Sequence, residues 1–223
     1  MFETSCIAVP VAAILVLFVL ASGPFSMVGV AVSRASHWPA LALSLIVASG
    51  PAGAQDNSML LVAEPQLTSP VFQRSVVLVT PHGNGAAVGI IINHPQPMDA
   101  ARLFPGDELL QDAGKIRFGG PVNPTALVFL FRAQERPAKA LHLFDNVYMG
   151  NDRELLARQL RRPRQESGLQ VYAGYAGWAP GQLQAEIMLG SWHTVKARAE
   201  LLFNTDRESM WEKLARKMIE NWI

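Results

Sequence analysis

SVVLVTPHGNGAAVGIIINHP, Ser75–Pro95, carries the strongest structural signal in the chain. Two apolar runs, Val76–Val79 and Val88–Ile92, flank His82-Gly83-Asn84-Gly85. Glycine and asparagine tolerate positive φ, so these four residues predict a hairpin turn between two strands. Neither run alternates with polar residues, the pattern of strands buried on both faces. Asn93-His94-Pro95 ends the second strand, because the residue before proline avoids the helical region and proline has no amide to give a ladder.

Working outward, Met59–Ala63 predicts another strand, closed by Glu64-Pro65. Met98–Phe104 predicts a short helix. Lys115–Phe118 and Ala126–Arg132 predict strands separated by Gly119-Gly120-Pro121, and Ala140–Tyr148 a strand or turn pair. Asn151 and Glu154 have capping-box spacing and open a helix stopped by Pro163. Acidic residues in its first turn and Arg158, Arg161 and Arg162 near its end suit the helix dipole. Leu169–Tyr172 opens a strand that the chain begins to leave at Tyr172. Pro180 then fixes the first turn of a helix reaching about Leu189. Trp178 plugs the turn while Leu183 and Ile187 face the core; a ligand stacked on Tyr175 or Trp178 is the rival reading. Ser191–Val195 is extended. Thr205 and Glu208 form a second capping box, and Trp211, Leu214, Ala215, Met218, Ile219 and Trp222 recur at helical spacing. One α/β (α+β) domain, a single compact unit over residues 55–223, accounts for this mixture of strands and helices.

The first quarter of the 223 residues belongs to another physical regime. Between Met1 and Ala54 only Glu3 and Arg34 are charged. Ile7–Phe25 is long enough to cross a bilayer. Ala40–Ala54 is shorter, follows Arg34 and His37, and ends in Ala52-Gly53-Ala54, so the parts of a secretory signal are present, with Met27 an alternative start. The expectation is export with cleavage near Ala54; the rival is an anchor formed by residues 7–25, and a cytoplasmic protein follows if the leader is unused. Membrane contact is expected only through this leader. Cys6, the only cysteine, lies inside it, so disulfides and thiolate chemistry are not expected in the remainder. A net charge of +1 gives no strong nucleic-acid signal.

RSVVLVTPH, GAAVGIIINHP, FGGPV and GYAGWAPGQLQAEI occur in the order found in the YqgE/AlgH family, and the chain resembles that family from roughly Ser58 to Met218. The resemblance implies a complex, bifurcated and partly barrel-like β-sheet flanked by helices. It brings no catalytic residue. Members are labelled as candidate transcriptional regulators through a genetic association with alginate production. Most lack a leader, and an exported protein does not act directly on cellular DNA. His94 stands where the family often has Lys or Arg, which makes any anion contact there dependent on pH.

The chemistry-bearing motifs are sparse. His82, His94, His142 and His193 include no His-x-x-x-His or His-Glu-x-x-His pair, so no metal site is expected. Gly-x-Ser-x-Gly is absent, as are the P-loop lysine and hydroxyl, and no cofactor is expected. Gly119-Gly120 either turns amides toward an anion or lets two chains approach closely. Arg153, Arg158, Arg161, Arg162 and Arg164 read as a solvated helix face, with phosphate, acidic polysaccharide or an anionic membrane as the alternative. Two functional classes remain. One is a non-catalytic module binding an unidentified protein or small ligand, with Arg74, His82, Asn93, His94, Gly119, Gly120 and Trp178 as candidate contacts. The other is an enzyme, a hydrolase among the candidate types, assembled from Arg74, His82, Asn93 and the Gly119-Gly120 turn. A deep pocket holding several of these side chains favours the enzyme.

Overall fold

The structure is a computed structural model that describes residues 58–94 and 97–220. The leader, its span and its cleavage site lie outside these residues, as do Pro95 and Trp222.

The described residues form ten strands and seven helices. They are β1 (Met59–Ala63), β2 (Val76–His82), β3 (Ala86–Ile91), β4 (Pro97–Asp99), α1 (Ala100–Leu103), α2 (Glu108–Ala113), β5 (Lys115–Phe118), β6 (Val122–Arg132), β7 (Ala140–Phe144) and β8 (Val147–Gly150). There follow α3 (Arg153–Leu160), α4 (Arg164–Ser167), β9 (Gln170–Trp178), α5 (Gln182–Met188), β10 (Trp192–Lys196), α6 (Ala199–Phe203) and α7 (Met210–Glu220). The main path of the sheet runs β10-β1-β2-β3-β9-β6-β8-β7.

The sheet forks at β9. One edge of β9 pairs with β6 from Gln170 to Ala173 and again at Tyr175. Its other edge is shared: Tyr172 and Ala173 pair in parallel with Arg117 and Phe118 of β5, whereas Ala176–Trp178 pair antiparallel with β3. This is the bifurcated sheet that the family resemblance implies, curled into a half-barrel.

The hairpin forms as its sequence predicts, with Gly83, Asn84 and Gly85 all at positive φ. Its strands are buried on both faces. Leu60, Val62, Leu78 and Ile90 join a core closed by Leu202, Met210 and Leu214 of α6 and α7. The alternate residues Leu61, Val77, Val79 and Ile91 join a second core with Trp178, Leu183 and Trp192. Phe129, Phe131 and Leu155 centre a third beneath α1, α2 and α3.

Several local expectations are corrected. Met98 and Asp99 are extended in β4, and only Ala100–Leu103 is helical; the Asp99 carboxylate caps it, accepting from Ala101 N at 3.0 Å. The cap of α3 is Asp152, whose carboxylate accepts from Leu155 N at 2.9 Å, and Glu154 instead reaches Lys139 at 3.2 Å. α5 begins at Gln182, after a Gly181 cap, rather than at Pro180. Asp206 rather than Thr205 caps the approach to α7, accepting from Ser209 N at 3.1 Å. At α3 and before α7 the aspartate one residue along the chain takes the capping role.

The largest difference concerns Tyr172, which does not begin an exit. β9 continues six residues further, to Trp178. It passes through Gly174 at φ +74, where a Cβ would lie 2.3 Å from Gly120 O. That glycine lets the strand kink under the Gly119-Gly120 crossing, and the register with β6 shifts there.

Candidate functional site

The candidate residues separate into two places. Arg74, Asn93, His94 and Gly119 gather where β2 begins and β3 ends. His82 lies at the opposite end of the hairpin, opposite Ala86, and Trp178 is nearby, paired with Ala87. From Val77 to His82 the strand advances roughly 17 Å, so His82 cannot share a site with Asn93.

Asn93 has its reason in the strand start. Its side chain is 7 % exposed. Oδ1 accepts from Val76 N at 2.7 Å and Nδ2 donates to Arg74 O at 3.0 Å. One amide thus supplies two partners at the start of the strand, beside the backbone bonds that Ala63 N gives to Ser75 O and Ile92 N to Val76 O. Arg74 itself has φ +56, a conformation that costs a non-glycine residue energy unless its surroundings fix it. Its guanidinium lies 4.9 Å from the Trp211 ring and pairs with the Glu212 carboxylate. Trp211 donates its indole N–H to Ala63 O at 2.8 Å. Together these contacts fasten α7 to β1 and to the approach of β2.

Gly119 and Gly120 are a crossing point. Gly119 N donates to Ala173 O and Gly119 O accepts from Ile91 N, both at 2.8 Å. A Cβ on Gly119 would lie 2.3 Å from Gly174 O, and one on Gly120 2.3 Å from Tyr175 O. The close-approach reading of this turn holds, and Gly119's amide is not available to an anion.

His94 packs edge-on against Phe118 with ring centroids 5.2 Å apart. Its Nδ1 is buried without a hydrogen-bond partner, as is the Ser75 hydroxyl nearby in sequence to Arg74.

Sequence reading missed the polar chain crossing the interior beside this corner. Arg207 Nη1 donates to Ile92 O and to the Tyr172 hydroxyl. Tyr172 in turn donates to Gln170 Oε1 at 2.7 Å, and Gln170 Nε2 to Leu202 O at 3.0 Å. Arg207 lies between α6 and α7, inside the predicted capping box, and nothing local marked it as reaching the interior.

Trp178 occupies a packed aromatic group. Its indole N–H and that of Trp192 both donate to Glu186 Oε2 at 2.9 Å. Phe72 closes the group, 5.6 Å from Trp192 and 6.3 Å from Trp178. Trp178 is 6 % exposed, which makes it a plug rather than a stacking platform. Glu186 was legible in principle: it falls one turn after Leu183 on the inward face of α5.

The arginines around α3 do not act as one patch. Arg153 makes a two-pronged pair with Asp107, at 2.6 and 2.7 Å. That guanidinium holds the Asp107 carboxyl below its ordinary range, against an opposing effect of burial. Arg162 donates to Arg132 O and Gln159 Oε1, at 3.4 Å each.

With the fork and the Asn93 corner established, comparison with known proteins is informative. The AlgH-like family model (DUF179) matches residues 60–222. The chain belongs to the AlgH-like family. A UPF0301 protein of Anaeromyxobacter dehalogenans (strain 2CP-C) is 36% identical over 171 residues, covering 71% of this chain and 85% of the relative. A UPF0301 protein of Chlamydia trachomatis serovar L2b is 31% identical over 159 residues, covering 70% and 82%. The solution structure of the AlgH protein from Pseudomonas aeruginosa superposes with a TM-score of 0.59 at 24% identity, over 76% of this chain and 91% of that one. A crystal structure from Corynebacterium diphtheriae gives 0.55 at 26% identity, over 71% and 85%. These AlgH-like relatives share the fold; the transcriptional-regulator label of the family is not established for this chain.

Proposed function

We propose that this AlgH-like domain is a binding module of the cell envelope, exported by its leader and acting by recognition rather than by chemistry of its own. The observation that supports this is how the candidate polar groups are used. Both ends of the Asn93 amide, the Arg74 guanidinium, the Gly119 amide and the Trp178 indole all hold the scaffold together. Groups so committed are poor nucleophiles, acids or bases, because catalysis needs them free to change partners. The leader supports export, with cleavage near Ala54 or retention through residues 7–25. Cell fractionation with N-terminal sequencing tests this half: a cytoplasmic product with its leader intact overturns it and restores regulation of DNA as a role. For the other half, the purified protein is screened against ester, amide and phosphoester substrates, and measurable turnover ends the non-catalytic reading.

A second reading, an enzyme, draws support from two atoms. His94 Nδ1 and Ser75 Oγ are buried polar atoms without partners, and such groups often mark a site awaiting a ligand. If the enzyme reading is right, any turnover detected disappears in both His94→Ala and Ser75→Ala.

A further inference from the structure

β10 ends the main path of the sheet, and no described strand pairs with its outer side. Which of its backbone groups face outward follows from one bond. Glu64 N donates to Ser191 O at 3.1 Å, so Ser191 turns its backbone toward β1. The antiparallel register then turns His193 and Val195 the same way, opposite Val62 and Leu60. Trp192, Thr194 and Lys196 therefore direct their N–H and C=O groups away from the sheet. Trp192 is buried, but Thr194 and Lys196 are exposed.

The surroundings of this edge are unusual in two ways. Met188 and Leu189, at the end of α5 and a short turn before β10, are 81% and 64% exposed. The exposed charges on and just after the strand are both cationic, Lys196 and Arg198, and neither has a carboxylate partner among the described residues. The nearer carboxylates are engaged: Glu186 binds the two indoles and Glu64 pairs with His193. Glu200, the next along the chain, sits in the first turn of α6. An edge lysine commonly discourages pairing with a second copy, which here would bring both copies' Lys196 and Arg198 to one seam. The same charges favour a strand that carries carboxylates.

We propose that the outer edge of β10, from Thr194 to Lys196, binds an extended acidic peptide segment of a partner protein by strand addition. Backbone bonds to Thr194 and Lys196 supply the register, Lys196 and Arg198 receive its carboxylates, and Met188 and Leu189 shelter an apolar side chain. This rests on the binding-module reading and names its surface.

The test uses the full chain in mild detergent with two labelled peptides of about six residues, alternating Val with Glu or Val with Lys, a length that spans one short strand. The acidic peptide is expected to bind and the basic one not to bind. Hydrogen exchange at the Thr194 and Lys196 amides should slow roughly tenfold on binding. K196E combined with R198E, both at exposed positions, should exchange the preference. Acidic-peptide binding that protects other strands overturns this site while sparing the binding-module reading. Absence of acidic-peptide binding overturns the site, as does protection of the two amides that grows with protein concentration without peptide. That last result identifies a second copy as the occupant.

Discussion

Replacing Asn93 by alanine removes a side chain whose hydrogen bonds both go to backbone. Two bonds go: Val76 N loses its acceptor at 2.7 Å and Arg74 O its donor at 3.0 Å. Val76 is fully buried, so water cannot replace the lost acceptor. An orphaned buried amide costs about 1–3 kcal/mol, and the more accessible carbonyl adds about 1 kcal/mol. A net loss of about 2–4 kcal/mol follows. In a domain of this size each kcal/mol moves Tm by about 2–4 °C, so a fall of about 5–15 °C is expected in a calorimetric or circular-dichroism melt. Asn93→Asp separates the two bonds. It keeps an acceptor for Val76 N but points a carboxylate oxygen at Arg74 O. Protonation restores a donor there, so this carboxyl titrates above its unfolded value. Its deficit relative to the parent protein should therefore shrink as pH falls from 7 toward 5. A melt within 1 °C of the parent for Asn93→Ala would refute the role assigned to this corner.

Three further outcomes follow from the packing and the ion pairs. Trp178→Ala should cost about 3–5 kcal/mol, as large aromatic truncations in cores do, and an unchanged melting curve would revive the ligand-platform reading. Because Glu186 Oε2 serves both Trp178 and Trp192, Glu186→Gln combined with Trp178→Phe should cost less than the sum of the single changes; strict additivity in urea denaturation would show that the shared carboxylate does not couple them. Gly119→Ala brings a Cβ to 2.3 Å from the Gly174 carbonyl, a rigid backbone atom, and should destabilise by about 1–3 kcal/mol or more; retained stability would mean the crossing can open.

The Asp107–Arg153 pair gives a pH prediction. The folded carboxyl sits below its unfolded value, so the pair's stabilisation is present above the ordinary carboxylate range and is lost as pH falls through the lowered value. Asp107→Asn should lower stability at neutral pH and lose less on acidification. An acid limb as steep as the parent's would show that other carboxylates carry it.

The hairpin, β1 and the strand starts were legible because their signals are local: apolar runs, turn glycines and a proline stop. Caps were found to within a residue, but neighbouring Asn, Asp and Thr offered competing oxygens and only backbone direction selects among them. β9 was cut short in the sequence reading because two glycines look like a turn. The role of Gly174 depends on Gly119-Gly120 crossing it from far earlier in the chain, which no local pattern encodes. The site suffered the same limit. Asn93 and Arg74 were noticed as polar residues at strand ends, yet their partners are a backbone amide, a carbonyl and α7. Arg207 was missed because its targets, Ile92 O and Tyr172, are distant in sequence.

The fork at β9 also sets the order in which the chain can fold. β3 gains its second neighbour only when Ala176–Trp178 arrive, and β1 is enclosed only when Trp192–Lys196 follow. A chain emerging from the ribosome therefore holds its most apolar strands half-paired until nearly all of it has been made. Such non-local closure slows folding. Under the export proposed above, that delay is the interval in which the chain remains threadable.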